Sequence, residues 1–135
     1  MIQNQWYAVL ESREVPRGKP IGVTRMGEKL VFWRDRQGKV ICMSDRCAHL
    51  SARLSQGKIS PQDRLACPFH AFEYDSSGQC RYIPALGRNG EPPKAMRVAV
   101  YPTYEAHDLI WIWWGEPRTD LKPPRWFDID ETFSY

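Results

Sequence analysis

CPFHAFEYDSSGQCRYI, residues 67–83, begins with a soft sulfur and an imidazole, Cys67 and His70, and runs straight into a hairpin. Aromatic and β-branched residues flank a turn at Ser76-Ser77-Gly78, so residues 71–83 read as two short strands with a tight reversal. A second pair stands upstream in CAH, residues 47–49, where Cys47 and His49 follow the apolar run VICM. Seventeen residues separate His49 from Cys67, enough for two loops from neighbouring hairpins to approach each other. The whole chain holds four cysteines and three histidines. Concentrating two of each in matched loops is a donor pattern.

Outward from these loops the same β texture continues. GEKLVFWRDRQGKVICMSD, residues 27–45, predicts a hairpin with strands Leu30–Trp33 and Val40–Met43 around Asp35-Arg36-Gln37-Gly38. MRVAVYPTYEAHDLIWIWWG, residues 96–115, predicts a third hairpin turning near Glu105–Asp108. Gly, Pro, Asp and Ser punctuate the chain at short intervals, and eleven prolines argue against long helices. The expected class is all-β. After Gly115 the periodicity fades into EPRTDLKPPRWFDIDETFSY, which reads as an extended linker. The division expected is a domain over 1–115, with its donor loops within about 45–75, and a tail over 116–135.

Bulk properties exclude several classes. With 135 residues, 42% apolar and 26% charged, the chain suits one globular domain. Its net charge of +3 is dispersed without a basic run, so nucleic acid is not an expected partner. MIQNQWYAVLES is neither a signal peptide nor an anchor, and LIWIWW at 109–114 is too short to span a bilayer. No membrane association is expected, and the expected location is cytoplasmic.

Two Cys and two His can hold a mononuclear zinc ion, and a zinc-binding interaction module is one reading. Structural zinc sites, however, usually take both cysteines from one knuckle and both histidines from another. Here each knuckle is mixed, which suits a binuclear centre with both thiolates on one metal and both imidazoles on the other. A Rieske [2Fe–2S] centre has that ligand division.

C-x-H-x17-C-x2-H resembles the Rieske signature, and the likeness extends well beyond it. VICMSDRCAHLSARLSQGKI resembles the strand, first ligand loop and turn of ring-hydroxylating-type Rieske oxygenases. CPFHAFEYDSSGQCRYIPALG and LIWIWWGEP resemble that family's second ligand segment and closing strand. The branch with vanillate O-demethylases and pheophorbide oxygenase-like proteins is the most similar. The resemblance implies a Rieske-type antiparallel β-sandwich with a small cluster-binding subdomain of two loops. It implies Cys47, His49, Cys67 and His70 as both the metal ligands and the cofactor-binding residues. The respiratory type carries two further cysteines and a Ser that bonds a cluster sulfide; their places here are Ala52, Phe69 and Phe72. Missing those features, the potential is expected below about 0 mV, in the lower part of a range of roughly −150 to +300 mV. Departures from the oxygenase pattern fall beside the ligands, at Leu50 and Ser51 and at Ala71 and Phe72.

The resemblance further implies an electron carrier supplied by a ferredoxin or flavin reductase. Its acceptor would be a mononuclear Fe(II) in a catalytic domain of its own or a neighbouring subunit, within a homo-oligomeric parent acting on an aromatic or other cyclic substrate. Only His107 remains once the cluster is ligated, and one histidine cannot build the two-His, one-carboxylate site of that iron. The chain alone is therefore expected to move electrons without catalytic residues of its own. A free-standing Rieske ferredoxin is the alternative. His107 reads as a turn residue, Cys42 and Cys80 as free buried thiols, and Trp111 and Trp113 as core. Phe69 and Phe72 are expected to form an apolar collar beside His70, and Arg46 and Arg53 to bracket the first loop as solvated or docking charges. The ligand cysteines should lie inward and the ligand histidines near the loop tips.

Overall fold

The structure, a computed structural model, describes residues 3–48 and 52–116. Eleven strands follow in chain order: β1 (Gln5–Glu11), β2 (Ile21–Arg25), β3 (Glu28–Arg34), β4 (Val40–Ser44), β5 (Lys58–Ile59) and β6 (Leu65–Ala66). The remainder are β7 (Glu73–Tyr74), β8 (Cys80–Tyr82), β9 (Val100–Tyr101), β10 (Thr103–Ala106) and β11 (Leu109–Trp114). They form three antiparallel sheets: an outer sheet β1-β11-β10, a central sheet β2-β3-β4-β9, and a smaller sheet β5-β6-β7-β8.

The inner strands of the central sheet, β3 and β4, are buried on both faces, which is why LVFW and VICM are unbroken apolar runs. Leu30, Phe32, Val40 and Cys42 point to a core shared with Val9, Ile110 and Ile112. Val31, Trp33, Ile41 and Met43 point the other way, to a core shared with Leu65, Tyr74 and Cys80. Cys47 and Cys67 sit in this second core. Cys42 and Cys80 are both free and buried, and they face different cores.

Two hairpins use one turn chemistry. In DRQGK the Asp35 carboxylate accepts the Gln37 and Lys39 backbone N–H groups, both at 2.9 Å. In DSSGQ the Asp75 carboxylate accepts from Ser77 N–H at 2.9 Å, its hydroxyl at 2.6 Å and Gln79 N–H at 3.3 Å. Gly38 and Gly78 take the left-handed positions at φ +87° and +84°. At Gly78 a Cβ would also run into the Val98 carbonyl.

The third hairpin differs from expectation at both ends. Its turn is confined to His107 and Asp108, at φ 55° and 64°, because Glu105 belongs to β10 and forms a two-pronged ion pair with Arg34 at 2.7 and 2.8 Å. Its first arm starts only at Thr103. Pro102 has no N–H to give a ladder, and the chain changes sheets there: Val100–Tyr101 pairs with β4, while Arg97 bridges to Gln79 beside β8. Trp111 and Trp113 are buried as expected, on the side of β11 away from Ile110 and Ile112, and Trp113 meets Trp6 edge-on at 5.7 Å.

Candidate cluster site

The two cysteine loops are closed by the same device. Cys47 N–H donates to the Ala52 carbonyl at 2.9 Å, and Cys67 N–H donates to the Phe72 carbonyl at 2.8 Å. Each bond spans five residues and pins the cysteine at the root of a loop. The first loop leaves β4 of the central sheet; the second leaves β6 of the smaller sheet and returns as β7. Both sulfurs point inward, with each cysteine only 3% exposed.

The interior brings these two thiols together, close enough for Cys47 to act as a hydrogen-bond partner of Cys67. Burial, reinforced by the Cys47 sulfur, pushes the Cys67 thiol up to about 11. Tyr74 is fully buried and its hydroxyl touches Cys47 Sγ at 3.0 Å. The same oxygen accepts the Ala48 backbone N–H at 3.1 Å, so one phenol fixes both the sulfur and the start of the loop. Burial, with the Cys47 contact, also raises the phenol's own proton affinity.

His70 lies at the outward tip of the second loop and is exposed. It takes φ +60°, followed by Ala71 at +52°, so the tip is made by two left-handed residues. Phe72 packs against the core with its ring 6.4 Å from that of His70. Phe69 does not share this role. It is 59% exposed, because the tip turns its side chain outward, and the expected apolar collar reduces to Phe72. His49 lies outside the described residues.

The first loop is anchored from below. Asp45, with no exposed side-chain surface, accepts the Ser55 N–H at 2.7 Å and the Ser55 hydroxyl at 2.6 Å, and Arg53 reaches it at 3.4 Å. Arg53 and Arg46 are both exposed, as expected, and Arg53 in addition reaches back to Asp45. In the sequence Ser55 carries no signal of this role, and Asp45 only a faint one: an acidic residue at the end of an apolar strand, two places before a donor cysteine.

Among the described residues, no group of three or more His, Cys, Asp and Glu side chains is gathered closely enough to hold a metal ion. The described part of the donor set is the sulfur pair, with His70 at the loop tip. Two adjoining buried thiols, one with a raised proton affinity, fit a site whose positive charge comes from bound iron, since binding requires and rewards their deprotonation.

The family described as "Rieske [2Fe-2S] domain" matches residues 5–104, and the chain belongs to this family, whose cofactor is a [2Fe–2S] cluster. It is 36% identical to aminopyrrolnitrin oxygenase of Pseudomonas fluorescens over 83% of this chain and 31% of that protein. It is 31% identical to protein TIC 55, chloroplastic, of Arabidopsis thaliana over 95% of this chain and 25% of that protein. A crystal structure of dicamba monooxygenase with non-heme iron and dicamba superposes with a TM-score of 0.81 at 33% identity, covering 96% of this chain and 39% of that one. The chain therefore spans well under half the length of these relatives. No helix among the described residues is long and apolar enough to cross a membrane. With a chloroplast protein among the relatives, membership of the family does not itself imply the cytoplasm.

Proposed function

We propose that this chain relays single electrons through a Rieske [2Fe–2S] cluster to the mononuclear non-haem iron of a catalytic oxygenase domain. Cys47 and Cys67 would hold one iron, and His49 and His70 the other. The observation that carries the reading is the pair of buried thiols at the roots of two loops closed by equivalent backbone bonds. Oxygenases among the relatives, and a solved one that holds non-heme iron, support the oxygenase context. Residues 1–115 would form the cluster domain and 116–135 the link toward the catalytic domain. The donor would be a ferredoxin or flavin reductase, the acceptor a catalytic domain of the same or a neighbouring subunit in a homo-oligomer, and the substrate an aromatic or other cyclic compound. A cytoplasmic location is part of the same reading.

When bound, the cluster supplies reversible one-electron exchange. The chain's own residues do the rest. Burial of Cys47 and Cys67 keeps water from the sulfur side, and Tyr74 holds Cys47 in place through its hydroxyl. His70, exposed at its tip, offers an imidazole edge that can hydrogen-bond a carboxylate of the acceptor.

The test is composition and spectrum. Protein made with ample iron should be red-brown, with two irons and two acid-labile sulfides per chain, and Cys47→Ser or Cys67→Ser should abolish the colour. Stoichiometric zinc without iron would overturn the reading.

A further inference from the structure

We infer that Asp45 is a positioning residue that fixes the first cysteine loop, and that its buried charge lowers the reduction potential of the cluster. This rests on the function proposed above. Asp45 stands two residues before Cys47, where the backbone leaves the central sheet; its own N–H donates to the Lys29 carbonyl at 2.9 Å. Its carboxylate is wholly enclosed and has donors on both oxygens. Ser55 supplies two of them from the 3-10 turn Leu54–Gln56, which has no cap from its own N-terminal flanking side chain. Asp45 therefore ties the far end of the loop to its root. The fit is close: on Gly22 of β2 a Cβ would lie 2.5 Å from Ser55 Oγ and 3.0 Å from the Asp45 carboxylate. A strand glycine thus leaves the room this network occupies.

The electrostatic consequence depends on which charge wins. Asp45 is negative and Arg53, at 3.4 Å, is positive. The Arg53 side chain is 42% exposed while that of Asp45 is 0% exposed, so solvent screens the cation far more than the anion. Arg46, the residue before Cys47, is exposed and is screened in the same way. The charge that solvent screens least at the root of this loop is the Asp45 carboxylate. Adding an electron to a cluster held there is disfavoured, and the potential is lowered.

The experiment compares the midpoint potentials of the intact chain carrying its cluster, for wild type, Asp45→Asn and Arg53→Gln. Electron paramagnetic resonance of the reduced samples checks that each retains the cluster. Asp45→Asn keeps the shape and removes the charge. It should raise the reduction equilibrium constant threefold or more, about 28 mV at 59 mV per tenfold. Arg53→Gln should move it the opposite way. If Asp45→Asn fails to retain the cluster, Asp45→Ser, equally neutral and able to hydrogen-bond, takes its place: a rise supports the inference, and no change or a fall overturns it. Equal shifts of one sign in both variants would mean mere loosening of the loop and would also overturn it. A wild-type protein without a Rieske spectrum would instead refute the proposed function.

Discussion

Ala71→Gly should make the protein more stable, against the usual effect of introducing glycine. Ala71 follows His70 at the tip of the second loop and sits at φ +52°, in the left-handed region. A residue with a Cβ loses about 1–2 kcal/mol there. Glycine removes that strain but gives the unfolded chain more freedom, which takes back about 0.4–1 kcal/mol. Ala71 is exposed, so little packing is lost with its methyl group. The net expectation is a gain of about 0.5–1 kcal/mol, or about 2–4 °C in melting temperature. Ala48→Gly is the matched control in the first loop: Ala48 is also exposed but does not have positive φ. With no strain to relieve, that variant should lose about 0.4–1 kcal/mol. Urea unfolding of both variants in the same metal state gives the comparison. Loss of stability in Ala71→Gly, or the same sign in both, would refute the assignment of backbone strain to the loop tip.

Tyr74→Phe keeps the buried ring but removes the hydroxyl shared by Cys47 and Ala48; an iron-bound Cys47 thiolate can only accept from that hydroxyl, and losing the bond should lower the potential by about 40 mV, equivalent to about 1 kcal/mol. Spectroelectrochemistry showing no fall would sink that role. Glu105 is held below the usual carboxylate range, chiefly by the hydrogen bond from Arg34. Because its folded value is depressed, its contribution is present above the unfolded value near 4.5 and is lost as pH falls through the folded value. Glu105→Gln should therefore reduce stability by about 2 kcal/mol at pH 7, less than a wholly buried pair would lose, and flatten the acid limb of a stability–pH curve. Gly78→Ala combines left-handed strain with a collision against the Val98 carbonyl and should reduce stability by about 3 kcal/mol or more, read as a drop in urea midpoint.

The parts legible in the sequence were those set by local chemistry. Asp35 and Asp75 with their glycines announce two turns, because the side-chain bonds that make them span only two to four residues. The inward direction of Cys47 and Cys67 followed from their places directly after strands. What escaped was non-local. β1 finds its order by pairing with β11 across the length of the chain, and short β5 and β6 have no periodicity to betray them. Glu105 looked like a turn residue until Arg34, 71 positions away, drew it into a strand. Arg53 reads as solvated and is exposed; what the sequence hides is its partner, Asp45, whose side chain is wholly buried. Phe69 and Phe72 look equivalent in sequence, and only the left-handed tip between them sends one outward and one in.

Cys47 hangs from the central sheet and Cys67 from the smaller one, so the two sulfurs face each other across a seam between layers. Along the β8 side that seam is stitched by backbone bonds: Cys80 N–H to the Met96 carbonyl and Val98 N–H to the Gly78 carbonyl, at 3.0 and 2.8 Å. The geometry is that of a book cover with a spine at residues 96–98 and a clasp at the cysteines. A cluster fastened to both loops would latch the cover; without it the smaller sheet is held on that side by the side chains of the shared core, and it should loosen before the other two layers do. Amide exchange after cluster removal should then quicken first in β5 and β6 and last in β1 and β11.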